Sequence, residues 1–354
     1  MVLELIDAAI VGYGRMGSGI GRDYGLLPKI WNPYSLKEAI ELAPNMKLRG
    51  VCDLNINAML NLPFGVERFT SYKLMLEIVK PDFVAITTRT QERSAIALWA
   101  LENGIKMMHL EKPLCSSKIE ASAMKSQFSK FEAKFSYGTI RRYLQPYKLV
   151  KNLISSGEFG DLKKVVINYG RGELFWTHPH SIDLILYFIG NYERIKIIDI
   201  SGEIPIVELK GNQINVITDP ILNSARLIFD DRFIAEITSE PTSTVSIICD
   251  KNQFHIVEDG RKVLQIDEHG SEHIVWDEQY IILPAGYSNV LGEFNIENLE
   301  PKTGDYLGQA MEDAFKGQDI LFDMCIALAG LHLTSVKQPE ELKFLAMSSR
   351  GLLA

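Results

Sequence analysis

Ala8–Gly21 reads AAIVGYGRMGSGIG, and the reading of this stretch decides the fold. Ala8 to Val11 is apolar and β-branched, the composition of a strand buried on both faces. Gly12, Gly14 and Gly17 then spell G-x-G-x-x-G, a turn running into a segment able to form a helix. In a strand, turn and helix of this kind the first glycine permits the tight turn and the second lets backbone approach a pyrophosphate. The third lets helix and strand pack closely, and the phosphates rest at the helix N-terminus. The same glycines could make a turn and nothing more. Against that stands KLRGVCD, Lys47–Asp53, a second strand ending in a carboxylate placed to accept both hydroxyls of a ribose. Gly12, Tyr13, Gly14, Arg15, Met16, Gly17 and Asp53 are therefore expected to hold a dinucleotide. Asp53 would repel a 2′-phosphate, which favours NAD over NADP, while Arg15 softens the preference by offering a phosphate partner. The interval from Gly17 to Asp53 is longer than usual, and the surplus LLPKIWNPYSLKEAIELAP reads as an inserted loop and helical turn.

Outward from this unit the pattern repeats. SYKLMLEIV reads as a helix, DFVAITT as a buried strand closing at Thr87 and Thr88, SAIALWALENG as a helix stopped by Gly104, and IKMMHLEKP as a strand broken by Pro113. SKIEASAMKSQFSKFEA supplies another crossover helix before the strand KFSYGTI. Alternation of this kind predicts a parallel, doubly wound α/β sheet over residues 1–138. The character then changes. One long helix, YLQPYKLVKNLISSG, is followed by KKVVINYG, ARLIFD, FIAEIT, TVSIIC, QFHIVE and KVLQID in close succession. Turns at Asp230-Asp231, Asp259-Gly260 and His269-Gly270 are hairpin chemistry, so residues 139–354 read as an α+β domain on an antiparallel sheet. A late helix, QAMEDAFKGQDILFDMCIALAGLHLTSV, is expected to split at Gly317.

The chain of 354 residues suits two domains, and 46% apolar with 23% charged residues is the balance of an ordinary folded protein. A net charge of -8, spread along the chain, argues against nucleic acid as a partner. No basic leader precedes the first strand and no apolar run reaches membrane-spanning length, so a cytosolic protein without a membrane partner is expected. Cys52, Cys115, Cys249 and Cys325 are far apart, which fits reduced, buried thiols rather than zinc or a disulfide framework.

At MMHLEKPLCSS, Met107–Ser117, the residues Glu111, Lys112 and Pro113 resemble the E-K-P signature of the Gfo/Idh/MocA oxidoreductases. GTIRRYLQPYKLVKNLISSGEFGDLKKVV resembles the opening of that family's second domain, and HSIDLILYFIG its H-x-x-D helix. The resemblance implies a Rossmann domain followed by an α/β domain whose large, open, mostly antiparallel sheet joins copies into homodimers or homotetramers. It also implies NAD(P)-dependent oxidation of a sugar-like or cyclitol hydroxyl to a ketone, or the reverse. Lys112 matches the lysine beside the reacting carbon, and Lys-Pro the bond that is frequently cis. Thr87, Thr88 and Arg89 stand where the family often reads T-P-N. Within the same family an NAD-dependent glycosidase begins with the same hydride step; from another class comes a dinucleotide-binding sensor without turnover.

FWTHPHSIDLIL, Phe175–Leu186, holds the remaining chemistry. Two histidines and an acid admit three readings: metal, a satisfied core, or proton transfer. No second cluster completes a zinc site, so no metal is expected. On a helix from Ser181, His180 sits at the start with Asp183 one turn on, where the acid can orient the imidazole or satisfy free N–H groups. Loss of hydride leaves a hydroxyl that must lose its proton, a task suited to histidine. A lysine at a strand end can meanwhile stabilise the negative oxygen. The family match makes His180 that base beside Lys112; Thr87, Thr88, Glu111 and Lys112 at their strand ends are expected on the cofactor, and Arg171, His178 and Asp183, by their places at a strand end, in the loop and on the helix face, as substrate contacts. Many members carry an acid four residues before this histidine, where this chain has Trp176, so Glu173, His178 or Arg171 would have to fill in. Arg141, Arg142 and Tyr143 match the family's domain junction, or else form a solvated face. His255, His269 and His273 read as surface residues and His332 as core.

Overall fold

The computed structural model describes residues 5–21, 27–210, 213–281, 283–294, 306–330 and 341–344. The chain divides into two compact units: Met1–Leu27, Trp31–Ile140 and Leu283–Phe315 form the first, and Pro28–Ile30, Arg141–Ile282 and Lys316–Ala354 the second.

In the first unit β1 (Ile6–Val11) is followed by one helical turn, α1 (Arg15–Ser18), which ends on Gly19 in the left-handed region. The inserted segment contributes a 3-10 turn at Lys29–Trp31 and α2 (Leu36–Leu42), which starts where Ser35 and Glu38 exchange side-chain bonds with each other's backbone N–H. Then follow β2 (Met46–Cys52), β3 (Glu67–Phe69), α3 (Tyr72–Val79), β4 (Phe83–Ile86), α4 (Thr90–Glu102), β5 (Met107–Leu110), α5 (Lys118–Lys130) and β6 (Lys134–Tyr137). Ser71 and Ser117 accept backbone N–H bonds at the starts of α3 and α5. The six strands lie in the order β3-β2-β1-β4-β5-β6, every neighbouring pair parallel. This is the doubly wound order, and β1 and β4, at its centre, are apolar and almost wholly buried because helices cover both faces. α4 begins four residues earlier than SAIALWALENG implied, so it includes Arg93.

In the second unit α6 (Gln145–Ser155) leads to β7 (Leu162–Asn168), β8 (Gly172–Glu173), α7 (Pro179–Ile189) and β9 (Ile195–Gly202). β10 (Val207–Lys210) and β11 (Gln213–Val216) form a separate small sheet with the late β18 (Glu341–Phe344). β12 (Ile221–Phe229), β13 (Phe233–Ile237), β14 (Thr244–Cys249), β15 (Gln253–Val257), β16 (Lys262–Ile266) and β17 (Glu272–Asp277) complete a nine-stranded sheet. Its order is β17-β16-β15-β14-β7-β13-β12-β8, with β9 also on β12, and only β13 and β7 run parallel. The mostly antiparallel sheet is thus present, joined by the expected turns: Asp230 and Asp231 both take positive φ, 52 and 56°, matching the strand twist of a two-residue hairpin. The sequence reading passed over β9, which alternates without a strong apolar face, and the short β10, β11 and β18.

The chain returns to the first unit with α8 (Gly286–Leu291) and the start of α9 (Tyr306–Leu328). α9 runs unbroken through Gly317, contrary to the expected split. Among the described residues a Cβ there would meet Ile182 and Leu186 at 3.4 and 3.7 Å, and a helix held by tertiary packing absorbs one glycine. His332 lies outside the described residues. All four cysteines are free and buried.

Candidate active site

The ends of three neighbouring parallel strands gather the first unit's candidates. After β1 comes the glycine loop, after β4 Thr87 and Thr88, and after β5 Glu111, Lys112 and Pro113. Gly12 takes φ 90°, and a Cβ on it would lie 2.8 Å from the Thr87 carbonyl carbon and the Thr88 nitrogen. A Cβ on Gly17 would run into the Gly12 carbonyl oxygen. Both glycines are demanded by the fold. Gly14 is not: it is exposed, its φ is ordinary, and among the described residues a Cβ there meets nothing within 4 Å. Open space beside the middle glycine is what close approach of a phosphate requires.

Asp53 faces this loop. Its Oδ2 accepts the Tyr13 N–H at 2.6 Å and its Oδ1 the Asn55 N–H at 2.8 Å, so the carboxylate ties the glycine turn to the end of β2. Each oxygen retains a second acceptor position for ribose hydroxyls. Arg15 is exposed and Met16 half-buried on the same turn. The Thr87 hydroxyl donates to the Gly12 carbonyl, bracing the turn from β4. These residues fit a dinucleotide.

The Lys112–Pro113 bond is cis, as the resemblance implied. Beneath it Glu111 is buried; its Oε2 accepts the Lys112 N–H at 3.1 Å and its Oε1 the Tyr287 hydroxyl at 2.7 Å. His109 Nε2 stands 3.7 Å from the same Oε1, beyond hydrogen-bond distance, while its Nδ1 meets Ser136 Oγ at 2.9 Å. Burial alone would raise the Glu111 carboxyl, but the His109 ring, the charge of Lys112 and the Tyr287 hydroxyl outweigh it and hold it down at about 2. Arg93, also buried, donates to the carbonyls of both Thr88 and Pro113 and so clamps the two strand-end turns together. Burial lowers its guanidinium to about 10, against the opposing pull of Glu111, Tyr137 and Cys115. Neither Arg93 nor Tyr287 was singled out from sequence. A signal for Arg93 existed: it falls on the apolar stripe of α4 with Ile96, Ala97 and Ala100, where a charge needs a buried partner. Tyr287 had no local signal at all.

In the second unit α7 starts at Pro179 with His178 as its N-cap residue, so His180 lies inside the first turn and is half-buried. His178 is completely buried, its Nδ1 3.1 Å from Ser181 Oγ, and burial pushes its imidazole down to about 4. It is neutral at neutral pH. Asp183 was expected to serve His180 or the helix N–H groups; the structure adds a stronger tie. Arg142 Nε donates to Oδ2 at 3.0 Å, its Nη2 lies 2.8 Å from Oδ1, and the same Nη2 donates to the Asp183 carbonyl at 3.2 Å. The pair is buried, and Arg142 lies over the Tyr187 ring.

A solvated face for the two arginines is thereby excluded. Arg141 is half-buried and holds Asp259 through Nε at 2.7 Å and Nη2 at 3.0 Å, with its guanidinium 4.8 Å from the Tyr169 ring centre. Arg171 is exposed and pairs with Glu203, and Trp176 sits half-buried in the turn before α7. His269 and His273 are exposed as read; His255 is half-buried and bonds Ser246 Oγ at 2.8 Å, because its strand turns that side chain toward β14. Among the described residues no three His, Cys, Asp or Glu gather as a metal site, and no helix is long and apolar enough to cross a membrane.

Comparison with known proteins agrees with this architecture. Residues 6–139 match the model of the GFO_IDH_MocA oxidoreductase family, NAD-binding Rossmann fold. No curated protein sequence matches the chain. Among solved structures, UDP-N-acetylglucosamine 3-dehydrogenase GnnA from Acidithiobacillus ferrooxidans superposes with a TM-score of 0.64 at 14% identity, over 92% of this chain and 98% of that one. An Agrobacterium radiobacter oxidoreductase in complex with NAD+, L-tartaric acid and magnesium gives 0.63 at 13%, over 90% and 96%. A Desulfitobacterium hafniense protein described as an NADPH-dependent oxidoreductase gives 0.70 at 13%, over 93% and 97%. At such identities the superpositions establish shared fold alone, and the family match speaks for residues 6–139: this part of the chain carries the NAD-binding Rossmann domain of the Gfo/Idh/MocA oxidoreductases.

Proposed function

We propose that the protein moves hydride between a nicotinamide and the hydroxyl or ketone carbon of a sugar, amino sugar, nucleotide sugar or cyclitol. The observation that carries this reading is the placement of Lys112. It follows β5 on the same edge of the parallel sheet as the glycine loop after β1 and the Thr87-Thr88 turn after β4. Ligands of doubly wound sheets bind along that carboxyl edge. The UDP-N-acetylglucosamine 3-dehydrogenase among the structural relatives supports a nucleotide sugar within this class.

In this reading the cofactor, when bound, supplies the acceptor or donor of hydride. Gly14 gives the backbone access its phosphates need, and Asp53 receives ribose hydroxyls, which favours NAD over NADP. The Lys112 ammonium stabilises negative charge on the substrate oxygen, and His180 takes the hydroxyl proton in oxidation or returns it in reduction. The exposed Arg171, the neutral His178 and the Arg142-bound Asp183 are the further substrate-side candidates; the last two act by shaping α7 around His180.

Trp176 favours a second reading, a sensor that binds dinucleotide without turnover, because indole cannot relay a proton. Absorbance of the nicotinamide at a panel of sugars, nucleotide sugars and inositols separates the two. Turnover with at least one substrate, abolished in Lys112→Ala with NADH affinity nearly unchanged, is the expected result. NADH binding with no turnover across the panel would move the assignment to the sensor, and full turnover in Lys112→Ala would remove that residue's role.

A further inference from the structure

The network beneath Lys112 contains a residue that hydride transfer does not use. Tyr287, completely buried on α8, reaches Glu111 across 176 residues of sequence and donates its hydroxyl to Oε1 at 2.7 Å. The other oxygen of the same carboxylate accepts the Lys112 N–H at 3.1 Å. A carboxylate rotates freely about its last torsion, and fixing one oxygen aims the other. The seat is close-fitting: a Cβ on Gly138 would stand 2.6 Å from Oε2, and the Tyr287 ring meets His109 edge-on with centres 5.6 Å apart. Past Lys112 the chain has no donor at Pro113, whose carbonyl is held by Arg93. The Lys112 N–H bond to Glu111 thus holds the backbone on the near side of the turn, and that bond is aimed by Tyr287.

We propose that Tyr287 is a positioning residue for Lys112, acting through the Glu111 carboxylate to set the backbone from which the lysine side chain projects. The inference rests on the hydride-transfer reading for its catalytic meaning, while the link from Tyr287 to the Lys112 N–H can be measured without any substrate. Amide exchange followed by NMR on full-length protein carrying 15N-lysine and 15N-glutamate supplies the measurement. The Glu111 N–H, bonded to the Ile86 carbonyl at 3.1 Å, is the internal control.

In Tyr287→Phe, which keeps the ring and removes only the hydroxyl, exchange at Lys112 should quicken about fivefold or more, the worth of one hydrogen bond, with Glu111 changing less than about twofold. Unchanged exchange at Lys112 overturns the inference. Equal acceleration at both amides also overturns it, since that is general loosening of the strand end. Should Tyr287→Phe not fold, Glu111→Met carries the test: with no acceptor opposite it the Lys112 N–H must lose protection by a similar factor, and retained protection overturns the link. Once a substrate is known, Tyr287→Phe should lower kcat while leaving KM for NADH in place. Full turnover in Lys112→Ala would instead sink the hydride-transfer role of the lysine and leave the exchange result standing, so the two failures are distinguishable.

Discussion

Set the strand ends of the first unit beside the first turns of α7 in the second. At the glycine loop the geometry is imposed by backbone: two glycines without room for a Cβ, one with room to spare, and a carboxylate that ties the turn by two N–H bonds. Around α7 it is imposed by buried side chains, above all the Arg142–Asp183 pair and the neutral His178. Backbone constraints leave their trace in spacing along the chain. Buried side-chain pairs leave almost none, because the partners come from distant segments and neither looks unusual alone.

The comparison predicts its largest effect at Arg142. Both charges of the pair are out of water, so Arg142→Ala strands the Asp183 carboxylate and should destabilise the protein by about 3–5 kcal/mol, read from urea unfolding. The double change Arg142→Met with Asp183→Leu should recover most of that loss, since removing both charges removes the desolvation penalty. A loss below about 1 kcal/mol in the single variant would show that the pair does not order α7.

The next effect is a pH dependence from His178. Its folded value of about 4 lies below the ordinary 6.5, so between these values the unfolded chain binds the extra proton. Stability from this group is therefore complete above pH 6.5 and falls as the pH drops toward 4, by about 3 kcal/mol. The difference between wild type and His178→Gln, followed by chemical denaturation from pH 7 to 4, isolates this slope from that of the carboxylates. Parallel curves would mean that His178 titrates as if in water.

These two cases also mark where sequence reading stopped. The G-x-G-x-x-G loop, Asp53 at the end of β2 and the Lys112-Pro113 turn follow from local pattern, since each needs a given residue at a given strand end. His180 and Asp183 were placed on one helix by their spacing. What the spacing could not supply was Arg142 as the acid's partner, because ion pairs across 41 residues obey no period. The same holds for Tyr287 under Glu111. Gly317 failed for another reason: its intrinsic cost in a helix, about 1 kcal/mol, was read without the packing of α9 that offsets it.

The smallest effect is the sharpest test of the backbone side of the comparison, because it sets two glycines of one motif against each other. Gly17→Ala drives a methyl into the Gly12 carbonyl and against the Ile10 side chain at 3.3 Å, and should destabilise the fold by about 1–3 kcal/mol. Gly14→Ala adds the same methyl to open space, so its stability should stay within about 0.5 kcal/mol of wild type. If that space is kept for phosphates, the second variant should nevertheless bind NADH about tenfold more weakly, a loss near 1.4 kcal/mol. Thermal unfolding with and without NADH reads both quantities in one experiment. Equal destabilisation of the two variants would mean that Gly14 serves the turn; unchanged NADH affinity in Gly14→Ala would mean that the pyrophosphate does not approach the loop at its middle glycine.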